Sequence, residues 1–213
     1  MKGNVPVPAV RTLAATVNSS PVHQLGFALL LLFVFVSYSR ILEHSALNHL
    51  RLPFITSLLV LGATVVCGGV PRAFRSPAGK LLMAFSIWML ICVPFSVWRR
   101  GSFTMLLDEW LKSLMCYVMM AGLVVTVKQA RQVMFTLAAA SVTVTLVALA
   151  FNYRQEGRLA MPGGTLGNPN DLAQIVLLGL PFVGMLATSR GDMLKKALAL
   201  AAVVVMLIAI VLC

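Results

Sequence analysis

Long apolar runs alternate along the chain with short polar stretches, and the runs lack the continuous polar face that a surface helix of a water-soluble protein carries. Seven of them, at 22–38, 52–70, 81–97, 110–127, 133–151, 172–188 and 197–213, approach the roughly 20 residues a helix needs to cross a hydrocarbon core about 30 Å thick. In lipid an unpaired backbone N–H or C=O is costly, so single runs of this length are read as helices. The pattern predicts an all-α fold, a polytopic membrane helical bundle with about seven transmembrane helices.

The organisation follows from the runs. Residues 1–21 form an N-terminal tail, 22–151 hold the first five spans, 152–171 form a polar loop, and 172–213 hold the last two spans. After Lys196 the final run meets no polar residue up to Cys213, from which a truncated reading frame is expected. The first run has Lys2 and Arg11 before it and Ser37-Tyr38-Ser39 at its end, which also fits a signal peptide. The long, proline-containing basic region and Tyr38-Ser39-Arg40 favour a span with an interfacial anchor.

Four spans carry local irregularities. The fourth begins with the mixed segment Asp108-Glu109-Trp110-Leu111-Lys112. Over 103–114, Phe103, Leu106, Leu107, Trp110, Leu111 and Leu114 share one helical face, while Asp108, Glu109, Lys112 and Ser113 share the other. This predicts an interfacial amphipathic helix capped by Ser102, which leads the chain into the span or shapes a lateral opening for a lipid-linked substrate. Pro94 and Pro181 predict kinks in the third and sixth spans, and Gly62, Gly68 and Gly69 predict close helix contacts in the second.

Composition excludes a single soluble core: 60% of residues are hydrophobic, 11% are charged and the mean hydropathy is +0.94. The net charge of +11 is scattered in small groups between runs, which argues against nucleic acid and for membrane lipids as the partner. Lys and Arg are retained on the cytoplasmic side. With the N-terminus inside, Lys2, Arg11, Arg72, Arg75, Lys80, Lys128, Arg131, Arg190, Lys195 and Lys196 are cytoplasmic, and Arg40, Arg51, Arg99, Arg100, Lys112, Arg154 and Arg158 lie outside, ten against seven. Cys67, Cys92, Cys116 and Cys213 lack the close spacings of zinc or redox sites, and His23, His44 and His49 make a poor ligand set, so neither a metal nor a cofactor is expected.

The chemistry-bearing stretch is the loop. Arg154, Glu156 and Arg158 precede Asn168-Pro169-Asn170-Asp171, a turn that opens the sixth helix, with Asp171 read as a cap. Free N–H groups and the dipole at a helix start favour a phosphate, and guanidinium groups grip phosphate oxygens in pairs. Arg158, Arg154, Asn168, Asn170 and Asp171 thus form the substrate-binding candidates, suited to an anionic lipid diphosphate. Ordinary loop punctuation with interfacial arginines accounts for the same residues without a ligand.

Gly164-Thr165-Leu166-Gly167-Asn168-Pro169-Asn170-Asp171-Leu172-Ala173, set between two membrane helices after an arginine-bearing loop, resembles the signature of the O-antigen ligase and O-antigen polymerase superfamily. The resemblance implies a glycosyltransferase of the bacterial inner membrane. Such an enzyme takes a glycan from undecaprenyl diphosphate on the periplasmic face and joins it to a lipid A core, a growing polysaccharide or a protein. It implies that the loop is periplasmic and that an arginine before the turn engages the diphosphate, Arg158 first and Arg154 behind it. Met161-Pro162-Gly163 stands as an insertion between Arg158 and the signature. The family's acceptor-activating histidine belongs to a later half of the fold, and His44 and His49 precede the signature. Part of a donor site, with no catalytic residue assigned, is therefore expected. Glu156 or Asp171 could in principle act as the base. The rival readings are a carrier or flippase for a lipid-linked precursor, which the apolar span centres argue against, and a noncatalytic subunit or remnant of a truncated gene.

Overall fold

The computed structural model describes residues 20–39, 52–161, 166–188 and 193–213, of which 86% are helical. The fold class is all-α. In chain order the elements are α1 (Pro21–Ser39), α2 (Leu52–Val66), α3 (Gly69–Arg75), α4 (Pro77–Cys92), a 3-10 turn (Val93–Phe95), α5 (Arg99–Met105), a π-helical turn (Leu106–Trp110), α6 (Leu111–Leu123), α7 (Val127–Phe151), β1 (Arg154–Gln155), β2 (Arg158–Leu159), α8 (Pro169–Thr188) and α9 (Met193–Leu212). Two compact units emerge, one of residues 1–30 and 57–127, the other of 31–56 and 128–213.

Five described helical segments are long and apolar enough to cross a membrane, and a sixth counts if α2 and α3 form one broken span. The chain is a multi-pass membrane protein. The expected count of seven is not confirmed, for reasons specific to the second and fourth runs. The second does not run straight to Val70: α2 stops at Val66, Gly68 takes a left-handed φ of 62°, and α3 leaves at 80°. The fourth is a 13-residue helix, Leu111–Leu123, about 20 Å long and short of the hydrocarbon thickness. It reaches spanning length only by extending through the π-helical turn that carries Asp108 and Glu109.

In the first unit the bend is held by Arg72. Its Nη1 donates to Gly122 O at 2.6 Å and its Nη2 to Cys67 O at 3.3 Å, so one guanidinium answers the terminal carbonyls of both α2 and α6, groups that helix ends leave unpaired. Gly69 and Gly122 meet there, each with room for no Cβ. Ser76 caps α4 by accepting from Gly79 N at 3.0 Å, with Pro77 at the first helical position. Pro94 tightens the end of α4 into the 3-10 turn. Ser102 is not a cap: α5 begins three residues earlier, after Trp98, and Ser102 Oγ lies 2.6 Å from Ser96 Oγ. The indole N–H of Trp110 donates to Ser86 Oγ at 2.9 Å.

The core of the second unit is built from α7, α8, α9 and the loop between α7 and α8, with Val144, Leu159, Met161, Leu172, Val176 and Met206 buried together. α7 and α8 touch at Gly179, where a Cβ would stand 2.0 Å from Ser141 Oγ. The hydroxyls of Ser141 and Thr145 are satisfied within their own helix, donating to Leu137 O and Ser141 O, both at 2.7 Å. Tyr38, expected as an interfacial anchor, donates its hydroxyl to Ile175 O at 3.2 Å and so ties α1 to α8. α8 continues through Pro181 as a single helix.

Candidate functional site

The loop after α7 is ordered by hydrogen bonds that start at the helix end. Asn152 N donates to Ala148 O at 3.0 Å and takes a left-handed φ of 44°, the conformation that closes many helices. The chain then forms an antiparallel hairpin with Arg154 opposite Leu159 and Gln155 opposite Arg158. Glu156 and Gly157 make its two-residue turn with φ of 54° and 81°, the signs a type I′ turn requires. Leu159, Ala160 and Met161 are fully buried, and Met161 N donates to Leu166 O at 3.1 Å. Met161, read as the start of an insertion before the signature, is thus with Leu159 part of an apolar anchor that seats the hairpin in the core.

That anchoring decides which arginine reaches the helix start. Neighbouring strand positions face opposite ways, so Arg154 and Arg158 lie on opposite faces of the hairpin and do not form a pair. Arg158 is brought to the start of α8: its Nη2 donates to Asn170 Oδ1 at 2.8 Å, and its Nε donates to Cys213 O. Arg154 bends back on its own turn, donating from Nη1 to Gly157 O at 3.2 Å. Arg158, Asn170 and Asn168 therefore form one group, with Asp171 next to it in sequence and Arg154 apart. All five are exposed.

The start of α8 differs from the expectation in who caps it. Asn168 is the cap, its Oδ1 accepting from Asn170 N at 2.9 Å and its carbonyl accepting from Asp171 N at 3.1 Å and Leu172 N at 3.2 Å. Pro169, the first helical residue, has no N–H to offer. The N–H groups expected to cradle a phosphate are accordingly taken. Asp171 lies inside the first turn, where its carboxylate favours the helix dipole but repels an incoming anion. What the site presents is one guanidinium, oriented by two acceptors, beside a side-chain amide. Glu156 occupies the hairpin tip, a position set by turn geometry. Pro162, Gly163, Gly164 and Thr165 lie outside the described residues, as do His44 and His49.

The hairpin was the element missed in sequence, and its signal was the dipeptide Glu156-Gly157 between two short polar–apolar stretches. His23 is fully buried in the first turn of α1, where its backbone N–H donates to Ser20 Oγ at 3.1 Å. Among the described residues no three His, Cys, Asp or Glu side chains gather into a group that could hold a metal ion. No family model, no curated protein and no solved structure matches this chain.

Proposed function

We propose that the chain binds a polyprenyl-diphosphate-linked glycan at the outer face of a bacterial inner membrane and acts in glycan transfer, as a surface-polysaccharide ligase or polymerase. The observation that carries the reading is the Arg158 guanidinium, exposed between two membrane helices and held by Asn170 at the capped start of α8. The resemblance of 164–173 to the ligase and polymerase signature supports it. So does the setting, because a diphosphate headgroup lies at the membrane surface while its isoprenoid tail shares the bilayer with the apolar helices.

Chemically, transfer from such a donor breaks the bond between the anomeric carbon and a diphosphate oxygen. Negative charge grows on the departing diphosphate, and a preoriented guanidinium stabilises it without a metal. Arg158 is suited to that part through its planar, bidentate donor set. Asp171 works against it by charge.

Those opposite signs give the test. Purified protein in detergent micelles is titrated with undecaprenyl diphosphate. Arg158→Ala should weaken binding about 10- to 100-fold, the range of a lost charge-assisted hydrogen bond, whereas Asp171→Asn should strengthen it. Undiminished binding by Arg158→Ala removes the donor site from this loop.

A further inference from the structure

We propose that the recess on α5 and the π-helical turn is a binding site for a phospholipid headgroup that carries both a phosphate and a primary ammonium, of the phosphatidylethanolamine type. The recess encloses about 440 Å³ and is lined by Trp98, Arg100, Gly101, Thr104, Met105, Asp108 and Glu109. It lies directly beyond the end of the candidate span Pro77–Phe95, at the level where a bilayer presents its headgroups.

Two adjacent rows of the helix build it. Arg100, Thr104 and Asp108 recur every four residues, and Gly101, Met105 and Glu109 recur beside them, so each row stays on one face. The cation sits at one end and the two carboxylates at the other, about 12 Å along the axis. The long Arg100 side chain can close much of that distance. The wide turn over Leu106–Trp110 brings the consecutive residues Asp108 and Glu109 to the same recess. Such turns are often found at functional sites.

The floor is built as well. A Cβ on Gly101 would stand 2.4 Å from Trp98 Cε3, so only glycine lets the indole lie down against α5. Trp98 is nonetheless 74% exposed, leaving its indole available to a cation, which an indole face attracts. Phe95 and Val97, 85% and 108% exposed, offer apolar surface next to the recess for the lipid's chains.

The charges choose the occupant. One guanidinium and two carboxylates leave the recess net negative, which disfavours a headgroup with phosphate alone. A headgroup with both charges satisfies both ends, and a primary ammonium can donate hydrogen bonds to Asp108 and Glu109 that a choline group cannot. The assignment is independent of the diphosphate reading for the loop at Arg158.

The test is lipid retention. Protein is purified from vesicles containing phosphatidylethanolamine, phosphatidylcholine and phosphatidylglycerol in equal amounts, and the lipid that stays bound is quantified by mass spectrometry. Retained phosphatidylethanolamine should outnumber each of the other two lipids about tenfold, the effect of one charge-assisted hydrogen bond. The enrichment should vanish in Asp108→Asn/Glu109→Gln and in Arg100→Gln, and persist in Lys112→Gln, which changes a charge outside the recess. All the altered side chains are on the surface, and thermal unfolding of each variant checks that the fold is kept. Enrichment of phosphatidylglycerol or phosphatidylcholine instead, no enrichment, or enrichment that survives loss of both carboxylates overturns the proposal.

Discussion

At the scale of single residues, the loop between α7 and α8 shows how backbone sign and side-chain chemistry divide the work. Glu156 and Gly157 both need a positive φ, which costs an L-residue roughly 1–2 kcal/mol and glycine nothing. Glu156 therefore carries strain that asparagine would relieve, and Asn-Gly is a favoured pair for this turn. Glu156→Asn should raise the thermal unfolding temperature in micelles, and Gly157→Ala should lower it, each by an effect on the order of 1 kcal/mol. Equal stability of Gly157→Ala and the parent chain would show that the turn is not of this type. Residue identity had already pointed to Arg158, Asn168 and Asn170. It could not say that Asn168 caps α8 in place of Asp171, since either residue type suits the position and only backbone geometry selects one. It ranked Arg158 before Arg154 only through the resemblance, because the pleat that turns them apart exists only once the hairpin is recognised.

At the scale of elements, glycine explains why some contacts were legible and others not. Gly62, Gly68 and Gly69 were expected to pack helices, yet among the described residues a Cβ on Gly62 would meet nothing within 4 Å, Gly68 supplies the left-handed bend, and of the three only Gly69 makes a close approach. The close approach of Gly179 to Ser141 in the second unit passed unnoticed because a lone glycine in an apolar run carries no periodic signal. Gly179→Ala should force α7 and α8 apart and cost about 1–3 kcal/mol, the usual effect of overpacking. Adding Ser141→Gly removes both atoms that the new methyl would strike, so the double variant should recover most of the lost stability in a mutant cycle of unfolding measurements. A double variant no better than Gly179→Ala alone would place the strain elsewhere. The broken second run and the π-helical turn were likewise hidden, since hydropathy reports how apolar a stretch is and not whether its axis is straight.

At the scale of the whole molecule, the bilayer explains why the class was readable and the span count was not. Composition alone separates a chain with 60% hydrophobic residues from a soluble domain, but the count depends on whether α2–α3 and the run ending in α6 cross or turn back. The side on which Arg158 emerges does not inherit that ambiguity. Lys128 and Arg131 sit in the first turns of α7, and Arg190 precedes α9 with Lys195 and Lys196 in its first turn, so five basic residues flank a loop that carries two, Arg154 and Arg158. For each combination of crossing and non-crossing at those two earlier places, the orientation with ten Lys and Arg inside and seven outside also puts 152–171 outside. Only the side of the N-terminus changes. With Cys67, Cys92, Cys116 and Cys213 replaced by serine or alanine, a cysteine introduced by Asn170→Cys should react with a membrane-impermeant maleimide added to intact cells. One introduced by Lys195→Cys should react only after the cells are permeabilised. The reverse pattern would put the Arg158 guanidinium in the cytoplasm and end the diphosphate reading, because the donor glycan it is proposed to bind lies on the opposite face.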